Sequence, residues 1–240
     1  TTYDEGLPAL RDIDPNEAKT ALIEKTDRSQ SYNLTAFQIF WRYAIKNKLM
    51  WYIALADTCV YVVRFGVLFW LPIYLLKTKG FSHDQMSVAF AIFEWAAIPT
   101  TLFAGYLSDK FFRGQRMPLP MISVLIIIVA IFFYWYSHSL LVITIAVGVV
   151  GAMVYVPQFL AGVMSLDVVP DFAVGSTLGF RGFMSYIFGA TLATALIGKM
   201  VDLYGWSAGF MVILTGAVLC FCFCFLAHRG AAHLQKKRMV

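Results

Sequence analysis

Charge is scarce in this chain: only 14% of its 240 residues are Asp, Glu, Lys or Arg. Soluble domains carry about 25%, so too little is present here to solvate a globular surface or to keep a disordered chain in water. Four cysteines are too few for a disulfide scaffold. Four histidines, His83, His138, His228 and His233, sit at the ends of apolar runs or in the tail, where solvated imidazoles are the simplest reading. No glycine-rich phosphate loop or hydrolase elbow occurs, and no cofactor is expected. The first 34 residues are polar, carry both signs of charge and lack the apolar run of a signal peptide. What is plentiful is apolar surface, with 60% hydrophobic residues and a mean hydropathy of +0.70. Those numbers describe a membrane protein. The net charge of +5 resides in short loops between apolar runs, which suits membrane orientation and not nucleic-acid binding.

Six apolar stretches follow one another at roughly 49–76, 84–107, 118–137, 140–166, 172–198 and 206–228, each near the about 20 residues a spanning helix needs. The expected organisation is a central linker over 1–34, an interfacial helix over 35–48 opened by a Thr35 to Gln38 capping box, a six-helix bundle over 49–228 and a basic tail over 229–240. Six spans place both ends on one side. That side holds Arg42, Lys46, Lys48, Lys110, Arg113, Arg116, Arg229, Lys236, Lys237 and Arg238, against Lys77, Lys79 and Lys199 on the other, so both ends are expected in the cytoplasm. The opening Thr1-Thr2-Tyr3-Asp4 reads as the interior of a longer protein whose N-terminal part is missing. Cys220, Cys222 and Cys224 recur every second residue and fan out around a helix, which argues for small apolar packing residues and against a shared metal. Asn33-Leu34-Thr35 matches a glycosylation sequon but falls on the side expected to be cytoplasmic, so it is read as accidental.

Four charges fall deep within the expected spans: Asp57, Arg64, Glu94 and Arg181. Each costs at least about 2.5–3.5 kcal/mol at mid-bilayer, so each should face the protein interior or a water-filled space. Asp57 precedes Arg64 by seven residues, about 20° on the helix wheel, and Tyr61 shares the stripe. A buried ion pair that fixes helix packing is one reading of the stripe. A substrate site is the other, because an arginine presents five fixed donors, keeps its proton and grips two phosphate oxygens at once. Asp57 is expected to neutralise Arg64 when such a site is empty. Glu94 is open between a switching salt-bridge partner and a packing residue.

The loop Gly105-Tyr-Leu-Ser-Asp109-Lys110-Phe-Phe-Arg113-Gly-Gln-Arg116 resembles the signature loop of the major facilitator superfamily, in the copy between its eighth and ninth helices. Its form is similar to that of the bacterial organophosphate:phosphate antiporters, which carry glycerol 3-phosphate, hexose phosphates and phosphoglycerates. Tyr61-Val-Val-Arg64-Phe-Gly66, Tyr155-Val-Pro157, Val168-Val-Pro170 and Val201-Asp202 with Gly205-Trp206 support it. The resemblance implies an all-α membrane protein, the C-terminal six-helix half of a twelve-helix fold, in a bacterial inner membrane. It further implies a secondary transporter that exchanges an organophosphate for inorganic phosphate by alternating access. The partners implied are the bilayer and an N-terminal half that donates a second arginine.

Residue by residue, the resemblance gives Arg64 the phosphate-binding role with Tyr61 beside it, lines the cavity with Tyr155 and Tyr186, and lets Glu94 exchange salt bridges during transport. Asp109, Lys110, Arg113 and Arg116 are expected to hold one conformational state through contacts with helix ends. Phe69 stands where relatives that carry glycerol phosphate have Asp. Arg181 adds a cation whose positions one turn away, including Leu178, hold no acid. Its compensating charge must come from another helix or from substrate. A substrate carboxylate would supply it, which favours phosphoglycerates and phosphoenolpyruvate. Arg181 and Tyr186 lie five residues apart, roughly 140° around a helix, so one of them is expected to turn toward a neighbouring helix. A receptor that senses a phosphate ester on the same fold is the rival reading; an intramembrane enzyme lacks an evident nucleophile.

Overall fold

The computed structural model describes residues 34–112 and 115–238. Most of the expected linker, 1–33, and Arg113 of the signature loop lie outside the described residues. A short helix α1 (Ala36–Ile39) opens on the expected capping box, with Thr35 Oγ1 accepting from Gln38 N and Gln38 Oε1 from Thr35 N. It continues in π form over Phe40–Ile45. Its apolar residues, which spacing alone would put on one face, are divided: Phe37 and Trp41 stack on each other and stay exposed, while Phe40, Ala44 and Ile45 pack with Trp51 and Phe180.

Six helices long and apolar enough to cross a membrane follow: α2 (Lys48–Lys77), α3 (His83–Phe112), α4 (Pro118–Tyr136), α5 (Leu140–Asp167), α6 (Asp171–Tyr204) and α7 (Trp206–Ala232). Among the described residues no strand occurs. Local signals explain the boundaries. Asn47 caps α2 through Leu49 N, Ser82 and Gln85 form a capping box on α3, and Gly205 ends α6 with a positive φ of 81°. Helical backbone continues beyond the expected end of the last span, as far as Arg238. α3 breaks at Ala96, three residues before Pro99, whose missing N–H and ring disrupt the preceding turn. Glu94 sits at this break.

Half of the apolar window of α2 and of α5 is buried within the bundle, against 22% for α3 and 33% for α6. So α2 and α5 form the interior, and α3 and α6 present broad apolar faces outward. Two glycines set the closest approaches of one helix to another's backbone. A Cβ on Gly151 of α5 would fall 2.1 Å from the Phe93 carbonyl oxygen of α3, and one on Gly189 of α6 would fall 2.6 Å from both Thr58 O and Tyr61 Cβ of α2. These contacts bring Glu94 toward α5 and Tyr61 toward α6.

Each end of the bundle is tied differently. At one, Tyr74, Tyr134, Trp135, Trp206 and Phe210 form an aromatic cluster with centroids 4.8–5.3 Å apart. Lys79 Nζ there donates to the Trp135 and Ser137 carbonyls at 3.0 and 2.6 Å, capping the α4 C-terminus, and burial lowers its pKa from the ordinary lysine value. At the other end, Arg116 joins Asp109 of α3 to Asp167 of α5.

Gly151→Ala and Gly189→Ala should each destabilise the bundle by about 1–3 kcal/mol through overpacking. Gly179→Ala, where a Cβ meets nothing within 4 Å, should be neutral. Thermal unfolding of the three purified variants in detergent checks this; equal melting curves for all three would refute it.

Candidate functional site

The four intramembrane charges converge. Arg64, on the buried middle of α2, lays its guanidinium over the Tyr155 ring of α5, Cζ 4.4 Å from the centroid, and is 5.0 Å from that of Phe65. Its Nη1 donates to Gln158 Oε1 at 3.2 Å. Gln158 Nε2 in turn donates to Tyr61 Oη at 3.1 Å. Tyr155 spends its hydroxyl proton on Glu94 Oε2 at 2.8 Å. Tyr155 therefore offers its ring face to the cation and its hydroxyl to the anion. Tyr186, 55% exposed, meets Tyr61 edge-on at 5.1 Å. The aromatic row continues along α2 through Phe65 to Phe69, which is itself half exposed.

Asp57 does not neutralise Arg64 here. It lies two turns before Arg64 on α2, 1% exposed, and its Oδ2 pairs with Arg181 Nη1 of α6 at 3.2 Å while accepting from Ser185 Oγ at 2.7 Å. Arg181 Nη1 also donates to the Gln158 main-chain carbonyl at 3.2 Å. Arg181 is thus the member of the Arg181 and Tyr186 pair that turns toward neighbouring helices. Its missing partner on α6 is supplied by α2, seen only when the helices are placed together. Among the described residues, Arg64 makes no ion pair, and its Nε is buried without a hydrogen-bond partner. Arg181 Nε is buried without a hydrogen-bond partner as well, so the two interior arginines differ in having or lacking a carboxylate partner.

Two residues absent from the charge-based reading are central to this network. Gln158 carried a signal, being an amide in an apolar span three residues after Tyr155, hence on its face. Ser185 lies four residues after Arg181, one turn on, and carried less because serine is common in spanning helices.

In the signature loop, Arg116 bonds to carboxylates on two helices. Arg116 Nη1 binds Asp109 Oδ1, and its Nε donates to Asp167 Oδ2 at 3.1 Å, linking the ends of α3 and α5 ahead of α4. Burial works against the Arg116 charge, but the hydrogen bonds and attraction of Asp167 and Asp109 outweigh it and raise its pKa. Lys110 instead bonds Tyr106 Oη of its own helix at 2.9 Å. Cys220 and Cys224, four apart, do share a face with sulfurs 4.0 Å apart, whereas Cys222 is exposed. No group of three or more His, Cys, Asp or Glu suited to a metal occurs among the described residues. An apolar groove of about 530 Å³ between α4 and α5, lined by residues such as Leu125, Phe133 and Ile145, includes none of the network's side chains.

Six spanning helices around a polar, two-arginine interior define one half of a membrane transporter fold. The chain belongs to the Major Facilitator Superfamily, whose family model matches residues 7–187. It is 55% identical over 234 residues to the phosphoglycerate transporter protein of Salmonella typhimurium, covering 98% of this chain and 50% of that relative. Likeness to the glycerol-3-phosphate transporter of Bacillus subtilis is 34% over 220 residues, 91% of this chain and 48% of the relative. The hexose-6-phosphate:phosphate antiporter of Escherichia coli K12 is 30% identical over 205 residues, 83% and 44% of the two chains. The chain spans about half the length of these relatives.

Removing one member of a buried ion pair strands the other, at about 3–5 kcal/mol. Asp57→Asn should therefore lower the unfolding temperature sharply, and adding Arg181→Gln should restore most of the loss. A double variant no more stable than Asp57→Asn alone would show that the pair is not coupled; thermal melts of the single and double variants decide.

Proposed function

We propose that the chain is the C-terminal half of a secondary transporter in a bacterial inner membrane. The transporter exchanges an organophosphate for inorganic phosphate, and both ends of the half face the cytoplasm. The observation that carries this reading is Arg64: a guanidinium inside a span, cushioned by aromatic rings and a neutral amide, with no carboxylate on it. Such a charge is costly unless an anion completes it. A phosphate group fits the planar fork bidentately and shares Tyr61, whose hydroxyl is tied to the same glutamine. Binding takes place without covalent chemistry, and a second six-helix half closes over the site as the halves rock against each other. The empty, positively charged site resists reorientation and the filled one does not, which favours exchange over one-way transport.

Phosphoglycerate or phosphoenolpyruvate is the proposed organic substrate, supported by the 55% likeness to a phosphoglycerate transporter. Arg181, which has no acid within one turn on its own helix, is held by Asp57 of α2. A carboxylate that engages Arg181 must first compete with Asp57. Tyr155, Tyr186 and Phe69 shape the wall of the site. Glu94 serves as a switch partner, released from Tyr155 as the halves move, and the Asp109 to Arg116 tie holds one conformational state.

Arg64→Lys should cut phosphate exchange at least tenfold with membrane insertion intact, since a point-like ammonium replaces a planar fork. Counterflow of labelled phosphate in proteoliposomes holding the carrier with both halves measures it. Near-wild-type exchange at normal protein level would remove Arg64 from the site.

A further inference from the structure

Gln158 touches both interior arginines, with its side chain on Arg64 and its main-chain carbonyl on Arg181. We propose that Gln158 is a positioning residue that aims the donors of Arg64 and Tyr61 at a single bound anion. The proposal rests on the reading that this cluster binds phosphate.

The geometry gives the amide a definite task. A cation–π contact holds a guanidinium near the ring face but does not by itself decide where its N–H groups point. The Tyr155 ring supplies the first restraint at 4.4 Å, and Gln158 Oε1, accepting from Nη1 at 3.2 Å, supplies the second. The remaining N–H groups of Arg64 then have one direction. On its other side, Gln158 Nε2 is a donor only, so Tyr61 Oη accepts there and keeps its own proton for another acceptor. The reverse amide orientation would face two sets of donors against each other at Arg64, so the network fixes which atom is which.

The support beneath the amide is also fixed. The Gln158 carbonyl accepts from Arg181 Nη1, which Asp57 anchors, and Asp57 is anchored in turn by Ser185. One residue thereby turns two flexible donors into a preorganised pair, lowering the ordering cost of binding. That role differs from space-filling. Glutamate is nearly isosteric with glutamine, but at this position its charge would sit 3.2 Å from Arg64 Nη1 and compete with the anion. Leucine fills the space and removes both hydrogen bonds.

The test compares wild-type carrier, Gln158→Leu and Gln158→Glu, with both halves present. It reads inorganic phosphate binding by calorimetry, phosphate self-exchange in proteoliposomes, and thermal melts to confirm folding. The loss of two hydrogen bonds predicts that Leu weakens phosphate binding about tenfold, and Glu should weaken it at least a further fewfold, with the KM for exchange following the same order. Tyr61→Phe should cost less in the Gln158→Leu background than in wild type, because the two act as a unit, and equal costs in both backgrounds would overturn the proposal. A packing role predicts the opposite order, Glu close to wild type and Leu worse, and that order would overturn the proposal. Unchanged binding in Leu would overturn it too. Wild-type protein that binds phosphate without exchanging it would sink the transport reading alone, since the order of the variants is still read from binding.

Discussion

An arginine held inside a membrane span without an acidic partner constrains everything around it. Lipid cannot solvate Arg64, so the bundle must, and it does so with aromatic faces and one amide instead of a carboxylate. Neutral ligands of this kind lower the cost of the charge without cancelling it. The helix order follows from the same demand: α2, which bears Arg64, and α5, which bears Tyr155 and Gln158, occupy the interior, while α3 and α6 bring the flanking charges against them.

The second arginine shows the alternative solution. Arg181 is paired with Asp57, which also accepts from Ser185, and donates to the α5 backbone, although Arg181 Nε and Asp57 Oδ1 are buried without a hydrogen-bond partner. Two cations that touch a common glutamine are thus handled in two ways: Arg181 is paired with a carboxylate, and Arg64 is held by aromatic rings and an amide. Glycine contacts at 151 and 189 make the division possible, since both depend on helices approaching more closely than any side chain would allow.

Much of this was legible from the chain alone. The low charge and long apolar runs dictated six spans, and the structure returns them with ends within a few residues of those expected over most of the bundle. The four intramembrane charges pointed to one region because each is too costly to face lipid. Their pairing was not legible. Asp57 and Arg64 lie on one stripe, and local spacing favoured a bond between them, yet the guanidinium that reaches Asp57 comes from α6, more than a hundred residues away. Gln158 was missed for a related reason: neutral, it costs little to bury, so reasoning from energetic expense passes over it. The division of the α1 face likewise depends on a π turn that no spacing rule forecasts.

Tyr155 carries a guanidinium on its face and a carboxylate at its hydroxyl. Placed in direct contact, Arg64 and Glu94 would collapse into a salt bridge and the local field would vanish. The phenol acts as a spacer: it contacts both groups, one at its ring face and one at its hydroxyl, so that the opposite charges stay separated within the protein without meeting.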